Sequence, residues 1–311
     1  MKVGIIDLGT NTFNLLIAEV DDKGGYTPVY RSKVGVKLGE GSFERAYITE
    51  EAMDRAFVAL HAQVAAIKNQ YCDRILAFAT SAVRNASNKQ QFVDRVRELF
   101  GFTIMVIDGI KEAQMIFQGV QLAGALKEGE SSLIMDIGGG STEFIIANSE
   151  EIIWKKSYEI GVSRLLEKFN PKDPITRETE ARVVDYVSEN LGEALEEARR
   201  EDVKILIGSS GSFDTFSDVL AHRKGDYEKT KDLTSGVFEY DKLRAHLDEL
   251  VKSTRKEREL MKGMVAIRVR MIVMSALIAR MVLDQVQFDE VRLSRYSLKE
   301  GVLFDVLKGN I

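Results

Sequence analysis

Cysteine is almost absent from this chain: Cys72 is the single one in 311 residues. An internal disulfide and a four-cysteine zinc site are therefore excluded. Histidine is nearly as scarce, and His61, His222 and His246 lie far apart without ligand-like spacing. With 3 prolines there is no long proline-rich linker. Long apolar runs are missing too. Residues 3–20 are interrupted by Asp7, Asn11 and Asn14, and residues 264–283 by Arg268, Arg270 and Arg280. Both fall short of the ~18 uncharged residues that a membrane helix needs. No signal-peptide pattern is evident at the start, so a cytoplasmic location with no membrane partner is expected. The net charge of −5 argues against general affinity for nucleic acid, though it leaves room for local basic patches.

What is present is ordinary globular composition, with 45% hydrophobic and 29% charged residues. The length suits two domains. Residues 2–7 form an apolar run ending at Asp7, and residues 13–20 and 28–36 read as antiparallel strands returning from turns. The period then changes. Met53, Phe57, Leu60, Val64 and Ile67 share one helical face, with Thr49 as N-cap before Glu50 and Glu51. Residues 74–79 predict a strand, 88–100 a helix stopped by Gly101, 103–107 a strand and 111–126 a helix. Further on, strands are expected at 152–159, 202–207 and 290–293. Helices are expected at 163–169, 177–199, 213–221, 241–252, 258–283 and 298–307.

One pattern occurs twice. Ile5-Ile6-Asp7-Leu8-Gly9-Thr10-Asn11-Thr12 is similar to Ile134-Met135-Asp136-Ile137-Gly138-Gly139-Gly140-Ser141, and each copy is followed by a β-like run. The fold class expected is α/β, with two similar domains facing across a cleft. Residues 1–121 plus the C-terminal helix 297–311 would form one and residues 122–296 the other, with hinges near residues 121–129 and 289–297.

A glycine-rich turn lets a phosphate approach backbone N–H groups closely. Gly138, Gly139 and Gly140 with Ser141 make such a loop, and Asn11 and Thr12 add side-chain donors to a poorer version. Asp7 and Asp136 end their strands there, where a carboxylate can hold Mg²⁺ directly or through water. A single hairpin is better read as a tight turn braced by its aspartate. The duplication, with Asp retained in both, favours phosphate. Gly211 and Ser212 belong to a third glycine–serine loop, residues 208–212, which is weak evidence alone.

Glu112 opens a helix, where an acid suits the dipole or could orient water. Glu143 follows the triple glycine on a strand whose alternation predicts an exposed side chain, or else a role near a metal-bound water. Lys252, Arg255, Lys256, Arg258, Lys262, Arg268 and Arg270 are read chiefly as a solvated face that could also guide a polyanion. Arg268 and Arg270 differ in interrupting an apolar stretch, since a half-buried arginine needs an anionic partner. Arg84 is an isolated cation after Thr80-Ser81. His61 reads as surface and Cys72 as buried packing.

The double hairpin resembles the actin/Hsp70/sugar-kinase superfamily, whose members have two ribonuclease-H-like, actin-like ATPase domains. The finer pattern is similar to the exopolyphosphatase/guanosine pentaphosphate phosphohydrolase family, in its short two-domain form. The segments that carry it include Val36-Lys37-Leu38-Gly39, Thr80-Ser81-Ala82-Val83-Arg84, Asp108-Gly109-Ile110-Lys111-Glu112-Ala113, Asp136-Ile137-Gly138-Gly139-Gly140-Ser141-Thr142-Glu143 and Leu298-Lys299-Glu300-Gly301. The resemblance implies Mg²⁺-assisted release of terminal phosphate from polyphosphate or guanosine pentaphosphate; the sequence does not fix the oligomeric state, and a homodimer is the assembly to test for. It implies Glu112 as catalytic base and Arg84 as a catalytic, phosphate-contacting arginine. Asp136 and Glu143 match essential acids that would hold the metal, with Asp7 beside them. Asn11, Thr12, Gly138, Gly139, Gly140, Ser141, Gly211, Ser212 and Arg268 would hold phosphate.

Departures from the family pattern stand at Lys111, Gln114, Arg270 and Met274-Ser275, and they place positive charge near Glu112. Two alternatives therefore remain at this point: a kinase or ATPase of the same superfamily, and a non-catalytic protein that binds polyphosphate or guanosine polyphosphates.

Overall fold

In the computed structural model, which describes residues 1–41 and 46–311, the first apolar run forms β1 (Lys2–Leu8) and returns as β2 (Thr12–Val20). The two pair antiparallel, with Asp7 opposite Asn14. The turn is closed by the Gly9 N–H donating to Thr12 O at 3.1 Å. β3 (Tyr26–Gly35) pairs antiparallel with β2. The helix α1 (Glu50–Asn69) follows. Its first N–H groups are met by the Thr49 side chain, which accepts from Ala52. Met53, Phe57, Leu60, Val64 and Ile67 are all buried, as their spacing predicts. Then come β4 (Arg74–Ala79), α2 (Ser81–Arg84), α3 (Lys89–Phe100), β5 (Ile104–Val106) and α4 (Gly109–Leu122). The helix α3 stops at Gly101, which is left-handed. The sheet order is β3-β2-β1-β4-β5, with β4 and β5 parallel to β1. Ile6, Leu8, Phe13, Phe57 and Phe92 lie in its core. Each such side chain contributes about 1.5–3 kcal/mol on burial.

The same plan is then repeated. Strands β6 (Ser132–Ile137), β7 (Thr142–Ala147) and β8 (Ile152–Tyr158) form an antiparallel set, followed by α5 (Val162–Phe169) and α6 (Arg177–Arg200). Next come β9 (Ile205–Ser209), α7 (Ser210–Lys224), α8 (Tyr227–Thr230), β10 (Ser235–Val237), α9 (Tyr240–Lys252), α10 (Arg255–Leu260), α11 (Ile272–Gln285) and β11 (Glu290–Ser294). Read from β8, the order is β8-β7-β6-β9-β11, with β10 added at the edge. Strands β9 and β11 run parallel to β6. Both sheets thus share the order 3-2-1-4-5 and the same directions, the ribonuclease-H-like arrangement that the paired hairpins imply. The last helix, α12 (Leu298–Leu307), packs on β1 and β2. The two compact units are Met1–Gly119 with Leu298–Ile311, and Val120–Ser297.

One expected helix is wrong. Residues 258–283 are not continuous. The helix α10 ends at Leu260, Gly263 takes φ +91°, Ala266–Arg268 forms a single 3-10 turn, and α11 begins only at Ile272. Arg268 and Arg270 therefore lie before the apolar helix, not within it. That helix is buried from Ile272 to Leu283 apart from Arg280, as befits the centre of the second unit's core. Arg280 is held by Glu180 and by Asp248 at 3.0 Å. Among the described residues no helix is long and apolar enough to cross a membrane. The expected helix 111–126 ends at Leu122, because Gly124 takes φ +67°.

Candidate functional site

In the second unit the triple-glycine loop is held by its carbonyls. Val162 N–H donates to Gly138 O at 3.1 Å and Ser163 N–H to Gly139 O at 2.9 Å. Arg164 Nε donates to Gly140 O at 2.7 Å. The first turn of α5 thus consumes the loop's acceptors. Gly138 N–H closes the turn onto Ser141 O at 3.0 Å. The N–H groups of Gly139, Gly140 and Ser141 take no acceptor among the described residues. Three oriented, unoccupied amides in one turn form an anion-binding nest. Gly161 makes this possible. A Cβ there would stand 2.3 Å from Gly139 O, so only glycine allows the start of α5 to lie against the loop. The sequence pattern does not single out Gly161 or Arg164; a glycine immediately before a helix is the available signal.

The loop stands beside two acids. Asp136 and Glu143 are directly opposite in the β6–β7 ladder, so their side chains share a face. Asp136 is 5% exposed and accepts from Ser297 Oγ at 2.5 Å and Ser209 Oγ at 3.2 Å. Burial pushes its carboxyl above the usual range, opposed by the hydroxyls of Ser297, Ser210 and Ser209 and by the charge of Arg268. Glu143 is 1% exposed, and its Oε1 accepts from Ser157 Oγ at 2.7 Å. The alternation of the strand predicts an exposed carboxylate here, and the structure corrects that. β7 is buried along its whole length, so both of its faces are covered.

Ser209, Gly211 and Ser212 lie where β9 becomes α7. No side chain caps this helix, so its first N–H groups are left to other partners. Ser210 takes φ +66°, a left-handed conformation rare outside glycine. The Ser212 hydroxyl is buried. It lies 2.9 Å from Ser275 Oγ and accepts from Arg268 Nη1 at 3.1 Å, which leaves its N–H as the group that can meet a ligand. Arg268 is half-buried, as expected. Burial lowers the pKa of its guanidinium, and the carboxylates of Asp214 and Asp136 act the other way. Arg270 is exposed. The second unit therefore assembles Gly138, Gly139, Gly140, Ser141, Asp136, Glu143, Gly211, Ser212 and Arg268 in one place.

The first unit repeats the hairpin with different chemistry. The carbonyls of Thr10 and Asn11 accept from Gly39 at 3.1 Å, Lys37 at 3.0 Å and Val36 at 2.8 Å, the counterpart of the α5 bonds. A Cβ at Gly9 would stand 2.9 Å from Thr12 O, and one at Gly138 would stand 2.8 Å from Ser141 O. The glycine is thus required at the same place in both copies, by the same carbonyl. Opposite Asp7, however, is Asn14, whose Nδ2 donates to Asp7 Oδ2 at 2.9 Å. The acid pair of the second hairpin is an acid–amide pair in the first. Thr12 is buried and Asn11 half-buried at this turn.

Elsewhere in the first unit, Arg84 on α2 and Glu112 in the first turn of α4 meet as an ion pair, Nη1 to Oε2 at 2.7 Å. Arg84 Nη1 also reaches Ile107 O at 3.3 Å. Glu112 is 7% exposed. The carboxylate of Asp108 accepts from Lys111 N–H at 2.7 Å and so caps this helix. The positive charge expected of Lys111 near Glu112 is answered by Asp305 of α12, 3.6 Å from its Nζ. Asp305 is fixed in turn by Gln118 Nε2 at 2.6 Å. Of the other minor readings, His61 is exposed as expected, and Cys72 is half-buried against the core.

Among the described residues no set of three or more His, Cys, Asp or Glu side chains could hold a metal. Any cation here would therefore need water or substrate oxygens among its ligands.

A solved exopolyphosphatase from Cytophaga hutchinsonii is 38% identical to this chain and superposes with a TM-score of 0.95, covering 99% of this chain and 98% of that one. The bifunctional 3-dehydroquinate synthase/phosphatase of Fusobacterium nucleatum is 31% identical over 309 residues, which is 96% of this chain but 46% of that protein. The chain thus spans about half the length of that relative. Exopolyphosphatase 1 of Mycobacterium leprae is 27% identical over 307 residues, covering 97% of this chain and 88% of the other. Residues 16–310 match the Ppx/GppA phosphatase family, and the chain belongs to that family.

Proposed function

We propose that this chain is a phosphohydrolase that releases terminal phosphate from inorganic polyphosphate by attack of water. The observation that carries the reading is the nest at residues 139–141, whose amides are free while its carbonyls are locked by α5. Such a loop binds phosphate oxygens through the backbone, whatever the rest of the ligand. The uncapped start of α7 and the guanidinium of Arg268 add to the same field. Membership of the family and the exopolyphosphatases among its relatives support the same substrate class. Guanosine pentaphosphate presents a similar terminal phosphate group and is the second substrate to test.

Glu112 is the water-orienting base in this reading. Arg84 fixes its carboxylate in one place and is the phosphate-contacting arginine of this reading. Asn11 and Thr12 supply further donors. Magnesium fits the chemistry of the donor set. Asp136 and Glu143 are two buried carboxylates on one face, without enough protein ligands for a closed cage, which suits a cation that keeps water and phosphate oxygens in its shell. Asp136 and Glu143 would hold it, with Asp7 the weaker candidate because Asn14 already engages it. Bound there, Mg²⁺ would offset the charge that builds on the leaving and transferred phosphates.

The test is phosphate release with Mg²⁺ from long-chain polyphosphate, guanosine pentaphosphate and ATP, for wild type and Glu112→Gln. Release from one of the first two, reduced ~10²–10⁴-fold in the variant, is expected for a lost general base. Unchanged turnover in Glu112→Gln would remove that residue from the mechanism. Release from ATP alone would point to an ATPase or kinase, and tight binding without release to a binding protein.

A further inference from the structure

The charged stretch of residues 252–270 is only partly structural. Arg258 is buried, where its Nε donates to Val269 O at 2.7 Å and its guanidinium pairs with Asp173. Arg255 is held by Glu259 at 2.7 Å. Lys252, Lys256, Lys262 and Arg270 are exposed and take no carboxylate partner among the described residues.

Lys252 and Lys262 line a surface cavity of about 680 Å³, together with Val219 and Arg223 of α7, Glu249 of α9 and Glu257 of α10. Both acids of the lining are already engaged. Glu249 accepts from Arg223 through both oxygens, at 2.6 and 2.8 Å. Glu257 accepts from the N–H and hydroxyl of Thr254, at 2.7 and 2.8 Å. Arg223, Lys252 and Lys262 outnumber these two acids in the lining, so the cavity is positive on balance in a protein whose net charge is −5.

The cavity and the phosphate loop stand at opposite ends of one helix. Ser212 is near the start of α7, whereas Val219 and Arg223 are near its end, roughly 10–17 Å further along at 1.5 Å per residue. The segment that carries Lys262 runs back along this helix. Gly263, at φ +91°, lies so close to the backbone of Asp218 and Val219 that a Cβ would stand 2.8 Å from it. Five residues later, Arg268 reaches the Ser212 hydroxyl at 3.1 Å. One short stretch of chain therefore joins Lys262 at the cavity to the arginine at the nest.

We propose that this cavity is a second, non-catalytic anchoring site for polyphosphate, taking the far part of a chain whose terminal phosphates occupy the nest. The proposal rests on the hydrolase reading above. Lysine ammonium groups suit it as mobile point charges that accept any register of a repeating polyanion. A long chain engages both sites at once, with the second contact made intramolecular. A three-phosphate chain engages the nest alone.

The experiment compares wild type with Lys252→Gln/Lys262→Gln. The control is Lys68→Gln/Lys89→Gln, an equal change of charge on exposed lysines of the first unit. Phosphate release and equilibrium binding are measured for long-chain polyphosphate and for tripolyphosphate. The expected result is a KM and a Kd for the long chain about tenfold higher in the cavity variant, from the removal of two exposed ammonium groups. Its kcat, its values for tripolyphosphate and those of the control should stay within about twofold. An equal loss on both substrates, an equal loss in the control, or no change at all overturns the proposal. If wild type releases no phosphate, the hydrolase reading fails and the binding data decide alone. A preference for the long chain that depends on Lys252 and Lys262 keeps the anchoring site, and no such preference removes it.

Discussion

Asp136 shows what a buried carboxylate costs. Its folded pKa is raised by burial despite three hydroxyl donors. A carboxyl whose folded pKa lies above its unfolded value destabilises the fold wherever it is charged, and that penalty fades as pH falls towards the unfolded value near 3.9. Asp136→Asn is therefore expected to raise the melting midpoint by roughly 2–4 °C while abolishing phosphate release. Calorimetry and the release assay on one preparation check both halves. His246 is the opposite case. It is buried beside Glu249, which lies 3.3 Å from Nδ1, and against the Phe216 ring, while its Nε2 has no partner among the described residues. Burial lowers its pKa, Glu249 resists that shift, and Arg223 adds to it. Above about pH 6.5 the imidazole is neutral in both states and its contribution is flat. Below that pH the unfolded chain takes up its proton first, so stability should decline with acidity until the folded pKa is passed. Urea melts between pH 7.5 and 5 should show a steeper decline for wild type than for His246→Leu.

At the scale of elements, the nest depends on α5 lying against a loop that has no room for a side chain. Gly161→Ala should destabilise by ~1–3 kcal/mol through overpacking. It should also raise KM for polyphosphate with a smaller effect on kcat, since it disturbs a binding loop and leaves Glu112 in place. Steady-state kinetics beside a denaturant melt test this. The sequence makes many elements legible. The Thr49 cap and the spacing from Met53 to Ile67 place α1, and the paired Asp-x-Gly turns place both hairpins, because each is a local signal. The break at Gly263 is not legible, because apolar residues continue on either side of it and only the packed backbone of α7 imposes the left-handed turn. β10 escapes as well: three residues, one of them Gly236, carry no period. Within the candidate site the glycine loops and acids can be read directly. The pairing of Arg84 with Glu112 and the capture of Lys111 by Asp305 cannot, since contacts across 28 and 194 positions leave no trace in local pattern.

Across the whole molecule, the two units are built alike but laid out differently along the chain. The second is continuous, Val120–Ser297, whereas the first is Met1–Gly119 completed by Leu298–Ile311. Residues 120–297 expressed alone should retain their circular dichroism and melt cooperatively. Residues 1–119 alone should not, because β1 and β2 then lack the cover of α12. A peptide of residues 298–311 added to the latter should restore a cooperative melt, and a cooperative melt of residues 1–119 without it would show that α12 is dispensable. The duplicated hairpins also diverge: one copy keeps two acids and free amides, the other an acid held by an amide. The late position of α12 has a consequence on the ribosome. Translation delivers the strands and helices of the first unit early, yet the helix that covers them, and the Asp305 that answers Lys111, emerge only after the whole of the second unit. The second unit can close while the first still waits. A nascent chain stalled before residue 298 would then expose the apolar face of β1 and β2, a natural handle for chaperones and proteases to recognise incomplete synthesis.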